Sequence, residues 1–256
     1  MATENISKSS KVVSPAEWLV ARKELLRKEK EFTRLRDELS RQRRELPWEK
    51  VEKEYVFDGP NGRETLSDLF GGKSQLMVYH FMFGPEWPEG CPSCSFLADH
   101  FDGSVAHLAA RDVRLVVVSR AQLPRIEAFK KRMGWRFKWV SSHGSDFNRD
   151  YQASGTKEEI AAGPAYYNYT MQQFPSEERP GASVFYKDEA GNVFHTYSTY
   201  SRGLDMLIGA YHWLDIAPKG RDEEGLPHGM AWVRHHDKYA DSPLVDPKSL
   251  LVARKA

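Results

Sequence analysis

Cysteine is scarce in this chain, with two in 256 residues. That excludes a secreted scaffold held together by several disulfides. Charge of one sign is lacking too: 37 Lys and Arg stand against 36 Asp and Glu, for a formal net charge of +1. No global field favours nucleic acid or an acidic membrane surface. The longest apolar runs fall well short of a membrane span. Met1 to Val13 is polar and lacks the apolar centre of a secretion signal. A cytoplasmic protein with mostly reduced cysteines is the expectation. What is present, 40% hydrophobic and 29% charged residues, suffices for one good core with extensions.

Both cysteines fall in one short segment, Cys91-Pro92-Ser93-Cys94, after a strand-like run and before a helix-like one. The first cysteine of such a pair sits where free N–H groups and the helix dipole stabilise a thiolate. The second lies one turn on, close enough to attack a mixed disulfide. The pattern points to a redox dithiol.

Three parts follow from the rest of the chain. Residues 1–47 form a helical extension. Ser14-Pro15-Ala16-Glu17 is a capping-box start and Pro47 a stop. Between them Trp18, Leu25, Phe32, Leu39 and Leu46 share one stripe at heptad spacing. The charged residues Arg22, Glu29 and Arg36 in the second heptad position exclude a free-standing coiled coil. The helix lies along its own domain or crosses to a second subunit, and a homodimer is the weakly favoured expectation. The basic residues Arg41, Arg43 and Arg44 alternate with Glu38 and Glu45, which reads as a solvated face.

Residues 48–217 alternate strand and helix. Strands are expected at Tyr55–Phe57, Leu76–Phe83, Leu115–Ser119 and Phe137–Val140, with helices at Pro92–Arg111 and Leu123–Met133. A hairpin of Ala182–Tyr186 and Val193–Tyr197 and a helix Leu204–Leu214 complete the part. Two parallel crossovers, a hairpin and a last helix describe an α/β, thioredoxin-like three-layer sandwich. Residues 218–256 are polar, rich in Pro, Asp, Lys and His, and read as a C-terminal arm or partly disordered tail.

Several motifs occur together. They are Pro15-Ala16-Glu17-Trp18, the Phe83-to-Ser95 loop, Val117-Val118-Ser119-Arg120-Ala121 and the segment Gly134 to Ser142. Phe185-Tyr186-Lys187 and Arg234-His235-His236-Asp237-Lys238-Tyr239 complete the set. As a set they resemble an uncharacterised bacterial thioredoxin-like family, usually labelled predicted dithiol-disulfide oxidoreductase or domain of unknown function. The resemblance spans almost the whole chain. It implies Cys91 as nucleophile and Cys94 as resolving thiol. It also implies Pro180 at about the position of the superfamily's cis-proline. Here Arg179 precedes that proline and Gly181 follows it, and Trp87 stands four residues before the pair in a loop with Glu86 and Glu89. Trp87, Pro92 and Gly181 are the candidate groove residues. A protein or small-molecule disulfide, and a reductant to recycle the enzyme, are the implied partners; no cofactor is expected.

Two other readings compete. A peroxiredoxin-like peroxidase would use Arg179 beside the nucleophile, but Pro88 occupies the place of that family's threonine. A redox-inert or metal-binding protein would use the cysteines with His80 or His195; His228, His235 and His236 form a second cluster. Each histidine has a plain packing role as its alternative, and no metal site is assigned. The aromatic residues Trp135, Trp139, Tyr166, Tyr167, Tyr169 and Tyr197 read chiefly as core.

Overall fold

A computed structural model describes residues 10–239 and divides the chain into two units, Met1–Pro47 and Trp48–Ala256. In the first unit, α1 (Pro15–Arg44) begins as the sequence dictates. The Glu17 N–H donates to the Ser14 hydroxyl at 3.3 Å, and the Ser14 N–H donates to the Glu17 carboxylate at 2.9 Å. Pairs one turn apart, Arg27 with Glu24 and Glu31 and Arg41 with Glu38 and Glu45, staple the charged surface. Among the described residues of its unit no second element covers the apolar stripe, and no residue of α1 is buried.

The second unit is built on one eight-stranded sheet. In chain order its elements are β1 (Glu49–Lys50), β2 (Val56–Gly59), β3 (Gly62–Thr65), β4 (Gln75–His80), α2 (Pro92–Phe101), α3 (Val105–Ala110) and β5 (Val113–Ser119). There follow α4 (Leu123–Met133), β6 (Lys138–Ser141), α5 (Phe147–Asp150), α6 (Lys157–Ala162), the small ribbon β7 (Ala165–Tyr167) and β8 (Thr170–Gln172), β9 (Gly181–Lys187), β10 (Val193–Tyr200) and α7 (Gly209–Ile216). Strand order is β1-β10-β9-β4-β5-β6-β2-β3. β4, β5 and β6 are parallel, with Tyr79 opposite Val117 and Val117 opposite Trp139. β9 runs antiparallel to β4, pairing Gly181 with His80, and β10 returns beside it. Two parallel crossovers and a closing hairpin on the first strand's free edge give a thioredoxin-like connectivity.

The period-two alternation of the strands sorts the core. Tyr79, Phe81, Phe83 and Trp139 face α2, α4 and α7. Leu76, Val78, Val116, Val118 and Phe185 face the other way, where Phe70, Phe147 and Tyr151 cover them. The helix expected over 92–111 is broken at Asp102–Ser104. The Asp102 carboxylate accepts the Arg136 and Phe137 N–H groups at 2.7 and 3.0 Å there, tying the break to the start of β6.

In its described part, the expected C-terminal arm or partly disordered tail is an ordered arm packed on the sheet's unit. Residues 218–239 belong to the same compact unit as the sheet, and Val233 and His235 are buried. Trp232 meets Phe96 at 5.5 Å between ring centroids, and His235 meets Phe129 at 5.3 Å. The polar composition misled because its charges are used in specific pairs: Arg132 with Asp237, and Lys238 with Glu89. The rest of that expectation, 240–256, lies outside the described residues.

Trp139 is wholly buried, 4.6 Å centroid to centroid from Phe81, and its indole N–H donates to Ser119. Trp139→Ala is expected to destabilise the second unit by about 3–5 kcal/mol. Urea titration followed by circular dichroism checks this.

Candidate active site

β4 ends at His80, and the chain crosses Phe81 to Gly90 before α2 begins. Two hydrogen bonds fold this loop back on itself. The Cys91 N–H donates to the Met82 carbonyl at 3.0 Å, and the Met82 N–H points at the Cys94 sulfur at 3.4 Å. Gly90 is required by close approach: a Cβ there would lie 2.6 Å from the Phe81 ring and 2.7 Å from Phe129. Cys91 is the N-cap of α2 and Pro92 its first residue, where a missing N–H costs nothing.

The two sulfurs are free thiols in contrasting surroundings, Cys91 half-buried and Cys94 buried. The Cys94 thiol donates to Cys91, and the Ser93 and Cys94 backbone N–H groups and the Ser93 hydroxyl do likewise. Together they lower the Cys91 pKa to about 7. This is the helix N-terminus acting on a sulfur anion. Burial pushes the Cys94 thiol well above its ordinary value, and the bond to Cys91 adds to that. Glu89, which could have opposed a thiolate, is neutralised by Lys238 at 2.8 Å and Arg132 at 2.7 Å.

Cys91 and Cys94 line a cavity of about 530 Å³ together with Pro180. Tyr79 and Leu97 are also in its wall, as are Leu204 and Ile208 before α7 and Met230 of the C-terminal segment. Tyr79 hydrogen-bonds the Cys94 thiol, and burial above all raises its hydroxyl pKa. Its position on the α2 face was readable from strand alternation; the participation of Met230 carried no sequence signal.

Several expected placements are corrected. No peptide bond among the described residues is cis, so Pro180 reaches the cavity wall through a trans bond. Trans is the lower form by about 0.5–1 kcal/mol. The approach is held by the Arg179 N–H on the Ala153 carbonyl at 3.0 Å, and the Pro180 carbonyl accepts from the Tyr167 hydroxyl at 2.6 Å. Arg179 is not in the cavity wall. It is buried with its guanidinium 5.9 Å from the Tyr167 ring centre and one nitrogen on the Tyr166 carbonyl. Trp87 and Pro92 are outside the wall as well; the Trp87 indole lies over Gly84. Gly181 serves packing instead, since a Cβ there would come 2.7 Å from the Tyr200 ring.

The histidines offered as metal ligands do not meet the cysteines. His80 and His195 are on the opposite face of the sheet, stacked with Phe147 and against Tyr151 respectively. His80 bonds Ser183 and His195 bonds Ser198. Among the described residues no three His, Cys, Asp or Glu side chains form a metal-binding group. His235 Nε2 donates to the Gly90 carbonyl at 2.8 Å, and His236 bonds Asp99 at 2.7 Å. Of the aromatic residues read as core, Trp139 and Tyr167 are buried, whereas Tyr166 and Tyr169 are exposed.

The profile of a family described as "Bacterial protein of unknown function (DUF899)" matches residues 7–239. The chain belongs to that family. Comparison with curated proteins gives no match. Among solved structures, a protein assigned as the thiol:disulfide interchange protein DsbE of Chlorobium tepidum is similar at 16% identity. It covers 64% of this chain and 97% of its own, with a TM-score of 0.40. Peroxiredoxin Q of Xanthomonas campestris is similar at 13% identity over 60% and 88% of the two chains, TM-score 0.38. For peroxidoxin BcpB of Mycobacterium tuberculosis the figures are 14%, 64% and 94%, and 0.38. Likeness at this level says nothing of reaction or substrate. No helix among the described residues is long and apolar enough to cross a membrane.

Two outcomes are expected here. Iodoacetamide should label Cys91 first, at a rate that rises with pH through a midpoint near 7. Because the bond from Cys94 is the largest cause of that low value, Cys94→Ala, which removes the donor, should move the midpoint upward; stopped-flow alkylation reads both. The second concerns the C-terminal segment. The His236 pKa is raised by its bond to Asp99, so its contribution is present below the ordinary histidine value of about 6.5 and is lost as pH rises through the raised one. The Glu89 and Asp237 carboxylates have lowered values and stay ionised across that range. Amide-exchange protection of residues 230–239, corrected for intrinsic rate, should be full below the ordinary histidine value of about 6.5 and fall as pH rises above it. His236→Gln should remove the fall.

Proposed function

We propose that this protein is a dithiol-disulfide oxidoreductase. Cys91 thiolate attacks a substrate disulfide, and Cys94 resolves the mixed disulfide, leaving a Cys91–Cys94 bond. The supporting observation is the division of labour between the sulfurs. Cys91 borders a cavity with its pKa lowered to about 7 by Cys94 and helix N-terminal donors, while Cys94 is buried behind it. An attacking thiol is most effective with a pKa near ambient pH. A reducing compartment such as the cytoplasm suits a dithiol that must be returned to its reduced state. Peroxide reduction draws less support. Its transition state needs donors that converge on the departing oxygen, and the Arg179 guanidinium is turned to Tyr166 and Tyr167.

The test is a pair of variants and a pair of oxidants. Cys91→Ser is expected to abolish disulfide reduction, and Cys94→Ser to accumulate mixed disulfides detectable by mass spectrometry. The reduced protein should react with hydrogen peroxide no faster than a free thiol of similar pKa. A far faster peroxide reaction that is lost in Arg179→Ala would replace this reading with the peroxidase one.

A further inference from the structure

Resting on that reading, we infer that the substrate is a low-molecular-weight disulfide with a neutral, apolar body, which enters the cavity beside Cys91. Three observations carry the inference. The first is partial enclosure. The cavity floor is strand and helix, Tyr79 and Leu97. Its outer wall is the turn containing Leu204 and Asp205 and the segment around Gly229 and Met230. That segment is fastened across the front of α2. Met230 N–H, Trp232 Nε1 and Tyr211 hydroxyl all donate to one Glu223 oxygen at 3.0, 2.7 and 2.8 Å. Beyond it the clasp of Arg132 on Asp237 and the bond from His235 to Gly90 hold the chain down beside the cysteine loop. A disulfide in a folded protein brings its flanking main chain with it, and the two segments that wall the half-open cavity leave less room for that than for a small molecule. A small molecule does not meet this obstacle, and about 530 Å³ is within the roughly 300–1,000 Å³ of small-molecule sites.

The second observation is the lining. Met82, Leu97, Phe174, Leu204 and Ile208 present hydrocarbon, ring or thioether to the space. The third is charge. Arg221, Asp205 and Glu223 at the wall already have partners, and Arg202 and His228 are exposed at its rim. Arg221 holds Asp215 at 2.7 and 2.9 Å and Asp205 at 2.9 Å. Arg202 holds Asp205 at 3.0 Å, and Glu223 has the donors already named. A substrate carboxylate or ammonium reaching Arg221, Asp205 or Glu223 would give up water at groups that already have partners, which is unfavourable, while Arg202, 83% exposed, offers its charge only at the solvent rim. An apolar body gains by burial.

The chemistry balances without a cofactor. Cys91 thiolate attacks one sulfur of R–S–S–R; that S–S bond breaks, Cys91–S–S–R forms and one thiolate leaves. Cys94 then attacks the Cys91 sulfur, its proton passing to the second departing thiolate. Two electrons have moved from the dithiol to the substrate, and an external dithiol reductant returns them.

The experiment uses the reduced full chain and three probes: dithiodipyridine, a neutral aryl disulfide; dithiobis-nitrobenzoate, its dianionic counterpart; and insulin, a protein disulfide. Each rate is divided by that of the same probe with dithiothreitol, which removes intrinsic reactivity. The normalised rate for the neutral probe should exceed both others by about tenfold or more, a factor equivalent to about 1.4 kcal/mol. Met230, half-exposed on the wall, is the site for two variants. Met230→Trp, which fills space, should slow the neutral probe. Met230→Lys, which adds an unpaired cation, should narrow the gap to the dianion. Equal normalised rates, or insulin fastest, would overturn the substrate class and leave the dithiol reaction standing. Absence of any reversible Cys91–Cys94 disulfide with all three would sink the reaction itself and this inference with it.

Discussion

Met82 holds both ends of the dithiol. Its carbonyl accepts from the Cys91 N–H and its own N–H points at the Cys94 sulfur, at 3.0 and 3.4 Å. One residue just past β4 thereby fixes where α2 begins and how the second sulfur is oriented. The ring contacts around Gly90 fix the loop from below, since Phe81 and Phe129 leave no room for a side chain there. The sheet sets all of this. The Phe81 N–H donates to the Val118 carbonyl at 2.9 Å, so the loop leaves from a position determined by the parallel pairing of β4 with β5. Chemistry at Cys91 is thus tied to ladder register, and a slip by one residue would exchange the Tyr79 and His80 faces.

That exchange of faces also separates the readings of the site. Tyr79 and His80 are adjacent, yet one reaches Cys94 and the other stacks on Phe147 at 5.4 Å. Burial holds the His80 pKa down to about 3, so it is a neutral core imidazole bonded to Ser183. Distance in sequence is no guide here; strand parity decides which residues share the chemistry.

Much of this was legible in the sequence because it depends on local rules. The capping box of α1, the proline at the start of α2, the Val-rich β5 and the turn that joins β9 and β10 each follow from residue types at fixed offsets. What escaped depends on long-range partners. The polar composition of residues 218–239 reads as an arm or partly disordered tail, but Arg132, Glu89 and Asp99 supply partners from more than a hundred residues away. The β7–β8 ribbon is short and half-exposed, so it leaves little alternation to read. Arg179 was assigned by its place beside Pro180, but successive residues of an extended chain point to opposite sides. Pro180 faces the cavity and Arg179 faces Tyr167.

The two thiols show how one short helix start can produce opposite effects. They are separated by two residues and share a hydrogen bond, so stabilising charge on one necessarily opposes it on the other. Burial then breaks the symmetry. Cys94 has the core behind it and, besides Cys91, the Met82 N–H and Tyr79 hydroxyl as polar neighbours, whereas Cys91 has N-terminal donors. In the proposed reaction, Cys91 bound to a substrate sulfur would no longer carry charge, which removes its share in raising the Cys94 pKa and leaves the share due to burial. Deprotonation of the buried thiol becomes easier only at the stage where a second nucleophile is required. In the proposed reaction, the electrostatics of the pair would thus favour Cys91 as the first nucleophile and Cys94 as the second.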